Sequence, residues 1–126
     1  MSVSSPGKIQ SYRDLVVWQK AMDLVVTAYR IAARLPDHER YGLATQMRRA
    51  AVSIPANIAE GYGRCHRGDY IHHLSVANGS VKELETHFQI AIRLNYLPSN
   101  DVDLVLQQAD EVGRMLAAVI AKLKTK

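Results

Sequence analysis

The chain has 126 residues, 48% apolar, 22% charged and 6% aromatic, which allows one domain with one packed core and excludes a disordered chain. Sixteen Lys and Arg against twelve Asp and Glu leave a net charge of +4, a weak bias toward acidic partners and far below the basicity of a dedicated duplex binder. Cys65 is the single cysteine, so an internal disulfide is excluded and a reducing, cytoplasmic location is expected.

Residues 1–11 are expected to form a disordered tail. Ser2, Ser4, Ser5, Pro6 and Gly7 supply no apolar signal-peptide core, and no segment approaches the ~20 apolar residues of a membrane span. Residues 12–126 then form one domain. Four segments in it repeat apolar residues every three or four positions, a spacing that makes one stripe on a helix and suits no strand.

In the first segment Leu15, Trp18, Met22, Val25, Tyr29 and Ala32 form the expected core seam, and Leu35 and Pro36 end the helix. A second seam, Val17, Ala21, Leu24, Ala28, Ile31 and Leu35, lies about 110° away, while Gln19, Lys20, Asp23, Thr27, Arg30 and Arg34 share a narrow polar arc. A surface helix of a bundle needs one apolar stripe of ~100°. The second seam is either the edge of a wide core stripe or a subunit interface, and a subunit interface on Val17, Ala21, Leu24, Ala28 and Ile31 is expected.

The second segment carries Leu43, Met47, Ala50, Ile54, Asn57 and Gly61, with Gly61 and Gly63 as C-terminal breakers. Pro55 removes one backbone hydrogen bond and predicts either a kink or two shorter helices. The kink is favoured, because Ile54 and Ile58 stay in phase across it. Gln46, Arg49, Ser53 and Glu60 repeat at helical spacing, and Asn57 sits on the seam itself. These five read first as a structural polar network that sets register, and second as a binding site.

The third segment has Tyr70, Leu74, Ala77, Val81, Leu84, Phe88 and Ala91 and ends near Asn95 to Pro98. The fourth has Val102, Val105, Ala109, Val112, Leu116, Val119 and Leu123 behind a Ser99, Asn100, Asp101 capping cluster. Short connections make neighbours antiparallel, so the fold class is all-α, an antiparallel up-and-down four-helix bundle.

No catalytic constellation, metal site or cofactor motif is expected. The Glu-x-x-His repeats of di-iron bundles are missing, His72, His73 and His87 do not make a ligand set, and the glycines after the second segment follow a helix rather than a strand. Cys65 lies among Arg64, His66 and Arg67, cations that favour a thiolate, but as a loop cysteine it reads first as incidental. Arg67 followed by His72 resembles the Arg-x4-His signature of helical ribonucleases of the HEPN class, which makes metal-independent RNA cleavage one alternative. Arg48, Arg49, Arg64 and Arg67, expected to cluster near the end of the second helix with Tyr62 and Tyr70 as planar faces, are the candidate nucleic-acid-binding residues.

Nearly the whole chain, from Tyr12 to about Lys124, resembles the four-helix-bundle proteins encoded within intervening sequences of bacterial 23S rRNA genes. The matching residues begin with Tyr12, Asp14, Leu15, Trp18, Gln19, Lys20 and Ala21, and continue with Pro36, Glu39, Tyr41, Gly42 and Leu43. The most specific run holds Gln46, Arg48, Arg49, Ala50, Ala51 and Ser53 to Gly61, followed by Gly79, Ser80, Glu83, Leu84 and Glu85. The resemblance implies an up-and-down bundle assembled as a homopentamer, without established enzymatic activity. It extends to the accessory proteins of diversity-generating retroelements, which bind a reverse transcriptase and its RNA. Cys65, His66, Arg67 and Gly68 depart from the small hydroxyl-bearing residues usual in that loop. The expected function is thus a non-enzymatic, homo-oligomeric module for RNA or an RNA-handling protein, with the ribonuclease and a purely structural protein-interaction module as alternatives.

Overall fold

The computed structural model describes residues 8–125. Four long helices run α1 (Val16–Ala32), α2 (Leu43–Tyr62), α3 (Arg67–Arg93) and α4 (Asp103–Lys124), and no strand occurs among the described residues. Each helix packs on its chain neighbour and α1 closes the ring against α4, the antiparallel four-helix bundle. The expected 1–11 tail falls for residues 1–7 outside the described residues. Side-chain contacts begin two residues before Tyr12: Asp14 Oδ2 accepts from the Gln10 and Ser11 N–H groups, and Ser11 Oγ accepts from Arg13 N. This capping box starts a short 3-10 turn, Tyr12–Asp14, that leads into α1.

The core is built from the periodic residues. Leu74, Ala77, Val81, Leu84, Phe88 and Ala91 of α3 are buried, as are Val105, Ala109, Val112 and Leu116 of α4 and Met47, Ala50, Ile54 and Ile58 of α2. Each large side chain among them contributes about 1.5–3 kcal/mol by leaving water. Helix α2 continues unbroken through Pro55, so the two-helix alternative does not apply.

On α1 the assignment of the two seams is corrected in part: Leu15, Trp18, Val25 and Ala32 of the expected core seam do lie in or against the core. Val17, Ala21, Leu24, Ala28 and Ile31, assigned to an interface, are buried inside the bundle, whereas Met22 and Tyr29 of the expected core seam are exposed, with Val26 beside them. The five buried residues have no surface left for a second copy. Two apolar stripes satisfy the same period, and the choice falls to the neighbours: Ala21 and Ala28 are small enough for α2 and α4 to approach closely, while Tyr29 and Met22 fill space better at the rim.

Two cap expectations are also revised. Gly61 is not a breaker but a buried residue inside α2, where a Cβ would lie 2.6 Å from His73 Cβ; its missing side chain lets α3 approach. Gly63 is the C-cap. Ser99, Asn100 and Asp101 do not cap α4 with their side chains. They form a 3-10 turn, Ser99–Val102, and the Asp101 carboxylate accepts instead from Arg34.

Candidate functional site

Along the α2–α3 seam a chain of polar side chains crosses between the helices. Ser53 Oγ lies 2.8 Å from Ser80 Oγ, and Asn57 Nδ2 donates to Ser53 O (2.9 Å) and Ser53 Oγ (3.0 Å). With its amide nitrogen committed to Ser53, Asn57 presents Oδ1 to His73, whose Nδ1 donates across 3.1 Å. His73 Nε2 lies 3.8 Å from Glu60 Oε2, which also accepts from Arg64 Nη2 at 2.7 Å. The Arg64 hydrogen bond, and then the charge of His73, hold the Glu60 carboxyl below its ordinary pKa. Ser53, Asn57 and Glu60 of the expected network therefore do meet, through Ser80, His73 and Arg64. Gln46 and Arg49 take no part in it: their side chains make no hydrogen bond or ion pair among the described residues. Ser53 is held by Ser80 and Asn57 rather than by the imidazole, so the seam lacks the hydroxyl–base contact of an activated nucleophile.

At the opposite end of the bundle a second tie joins the two long connections. Helix α3 ends with Asn95 in the left-handed region (φ 62°) and Tyr96 N–H reaching back to Ala91 O at 2.9 Å. That turn delivers Tyr96 OH to Glu39 Oε2 (2.9 Å), with His38 Nε2 3.2 Å from the same hydroxyl. Glu39 Oε1 accepts from Leu43 N (2.9 Å) at the start of α2. The Leu43 N–H and the Tyr96 hydroxyl pull the Glu39 pKa down, and the Glu39 hydrogen bond raises that of Tyr96. A Cβ on Gly42 would lie 2.6 Å from Glu39 Oε1, so a side chain there would displace that carboxylate from its place. This tie anchors the α1–α2 connection that carries Arg40 and Tyr41.

Two concavities open beside that connection. One, of about 240 Å³, is lined by Ala32, Leu35, Pro36, Asp37, Arg40 and Arg48 among others. The other, a shallower groove of about 450 Å³, is lined by Tyr29, Thr45, Arg48, Arg49, Val52 and Ser53. Arg48 borders both. Its Nη2 donates to Thr45 Oγ1 (3.1 Å) and Arg40 O (3.3 Å), neutral partners that hold the guanidinium without cancelling its charge. Arg40 stacks over Tyr41, 5.9 Å from the ring centroid, and that ring is 85% exposed. Among the described residues Arg40, Arg48 and Arg49 have no carboxylate partner, whereas Arg34, Arg64 and Arg114 each have one.

The expected four-arginine cluster is divided by the fold. Arg48 and Arg49 lie near the start of α2 and Arg64 just past its end, about 20 Å away at 1.5 Å per residue. Arg67 opens α3 at that far end. Arg40 and Tyr29 were missed as site residues: the first is an isolated loop charge in sequence, and the second fits the core period. Tyr62 and Tyr70 contact each other edge to face at 5.9 Å, and Tyr70, packed against the core, has its pKa raised by burial.

Arg67 and His72 are both exposed, and five residues of helix set them about 140° apart. Neither lines the two concavities. Cys65 is exposed. No group of three potential metal ligands occurs among the described residues, and no described helix is long and apolar enough to cross a membrane.

The profile of the family described as 23S rRNA-intervening sequence protein matches residues 13–118. Among solved structures the chain is similar to a protein of unknown function from the S23 ribosomal protein family of Bacteroides thetaiotaomicron VPI-5482, at 24% identity and a TM-score of 0.78, covering 83% of this chain and 98% of that one. At that identity the likeness shows the fold alone. No curated protein matches.

Proposed function

The chain belongs to the 23S rRNA-intervening sequence protein family, and from that premise we propose that it is a non-enzymatic module that binds single-stranded RNA along the α1–α2 face. The observation that carries this reading is the convergence of Arg40, Arg48 and Arg49, which have no carboxylate partner among the described residues, around two concavities, one of which includes Tyr29, with the exposed ring of Tyr41 under Arg40. Guanidinium groups recognise phosphate oxygens, and aromatic faces stack on unpaired bases of any sequence. Fluorescence anisotropy with a single-stranded oligoribonucleotide at two salt concentrations tests it. With three phosphates neutralised, the logarithm of affinity falls with the logarithm of salt at a slope of about −2. Absence of binding at low salt overturns the reading.

A second reading is favoured by a separate observation and competes with the first for Tyr29 and Val52, which line the groove beside Arg48 and Arg49. Met22, Val26, Tyr29 and Val52 are exposed on α1 and α2, and an apolar patch on that side suits a homo-oligomeric contact. A symmetric assembly would also gather the +4 charge of each copy. Sedimentation velocity decides it: a monomer at micromolar concentration rejects this assembly.

A further inference from the structure

We propose that the cavity beneath the α1–α2 connection seats one ribonucleotide unit, with its phosphate between Arg40 and Arg48 and its ribose hydroxyls at Asp37; this names the ligand of the RNA reading and rests on it. The cavity, about 240 Å³, is smaller than the pockets of ~300–1,000 Å³ that enclose whole ligands. It suits a phosphorylated sugar with the base left outside. Buried Ala32, Leu35 and Ala44 make an apolar floor, and the more exposed Asp37, Arg40 and Arg48 make the rim. Over such a floor a charge contact is screened less than in bulk water.

The rim is prepared for an anion. Thr45 Oγ1 donates to Arg40 O at 2.7 Å and accepts from Arg48 Nη2 at 3.1 Å, so the loop carbonyl, the hydroxyl and the guanidinium form one hydrogen-bonded unit. Arg48 is thereby placed before any ligand arrives, and its charge is left for the ligand. Asp37 shares the cavity yet forms no ion pair with either arginine. An ionised carboxylate only accepts hydrogen bonds, and its natural partners in a phosphate-binding cavity are sugar hydroxyls, as where an acidic residue binds the ribose 2′-OH of a dinucleotide. The 2′-OH is also the group that distinguishes RNA from DNA.

The test uses the full chain, titrated with adenosine monophosphate, its 2′-deoxy analogue and adenosine while backbone amides are followed by NMR, in parallel with oligoribonucleotide binding at low salt. The nucleotide should give saturable shifts over residues 37–48, with the deoxy analogue and the unphosphorylated nucleoside each weaker by about tenfold. Arg48→Gln and Arg40→Gln should each weaken the nucleotide, and Asp37→Asn should abolish the preference for ribose. Displacement of the oligoribonucleotide by the mononucleotide identifies RNA as the source of the unit; saturable binding without displacement identifies a free nucleotide, and either result keeps the site. The proposal falls if the nucleotide gives no saturable shift at the cavity, if ribose and deoxyribose forms bind alike, or if Arg48→Gln binds undiminished. Should the oligoribonucleotide still bind in those cases, the RNA reading survives without this pocket; should it not, both fall.

Discussion

His73 Nδ1 donates to Asn57 Oδ1 across 3.1 Å, and through that contact α3 is registered against α2 one turn from Gly61, where a Cβ would meet His73 Cβ. The bond belongs to a string running from Ser80 through Ser53, Asn57 and His73 to Glu60. Each member satisfies its neighbour, so the seam is polar without being costly.

Replacing Asn57 by Ala strands the His73 Nδ1–H and removes the restraint on Ser53. The expected loss is about 1–3 kcal/mol in urea unfolding. Ser53→Ala and Ser80→Ala should each destabilise, while the double variant costs less than the two singles together, because it leaves neither serine hydroxyl facing a missing partner. Additive costs would mean that the 2.8 Å contact is not a coupled pair.

Gly61→Ala tests the close approach. The added Cβ meets His73 Cβ at 2.6 Å, a contact between two groups fixed to backbone, so the helices must separate. A destabilisation of about 1–3 kcal/mol is expected. Helix propensity alone predicts the opposite, a gain of up to ~1 kcal/mol for Gly→Ala inside a helix, so the sign of the measured change decides.

Acid should loosen the loop end of the bundle through Glu39. Its folded pKa is depressed by the Leu43 N–H and the Tyr96 hydroxyl, so the stabilisation it gives is complete above the unfolded value. That stabilisation is lost as pH falls through the lower, folded value. Glu60, depressed by Arg64 and His73, acts in the same direction. Thermal melts of the chain from neutral pH down to about pH 3 should show a decline that Glu39→Gln reduces; an unchanged pH slope in that variant would contradict the coupling.

The two faces of α1 separate stability from association. Leu24→Ala hollows the core and should cost about 2–5 kcal/mol. Met22→Ser and Val26→Ser remove exposed apolar surface, and surface changes of this kind usually stay within about 0.5 kcal/mol. If the exposed face carries the proposed assembly, the paired variant should sediment as smaller particles than the unmodified chain; equal sizes would contradict that assembly.

Arginines at the two ends of α2 should differ in RNA binding. Arg48→Gln and Arg49→Gln each remove one phosphate partner and lower the salt slope by about 0.7. Arg64→Gln removes a charge already neutralised by Glu60 at 2.7 Å and should leave both affinity and slope nearly unaltered. Equal effects from all three would favour diffuse charge over a local face.

The bundle itself was legible in the sequence. Apart from Ser80 and Gly113, the buried residues of α3 from Leu74 to Ala91 and of α4 from Val105 to Leu116 are those the three-four spacing names, because a helix that offers one apolar stripe buries that stripe first. Part of the polar network was legible for the same reason: Ser53, Asn57 and Glu60 fall on one flank of α2. Their partners Ser80 and His73 are more than a dozen residues away along the chain, and no local period points to them.

On α1 the sequence determined only that two apolar stripes exist. That the second is buried along its length, while the first turns Met22 and Tyr29 to the surface, was settled by the tertiary structure, since periodicity gives the angle between stripes but not the direction in which α2 and α4 lie. The grouping of arginines was settled there too. Nearness along the chain suggests that Arg48, Arg49, Arg64 and Arg67 belong together, but an unbroken α2 carries them to opposite ends, and the anchoring of Glu39 by Leu43 and Tyr96 brings the loop residue Arg40 beside Arg48 instead. Local hydrophobic spacing determines that helices form. Packing between helices, which no local pattern encodes, determines which side chains share a surface.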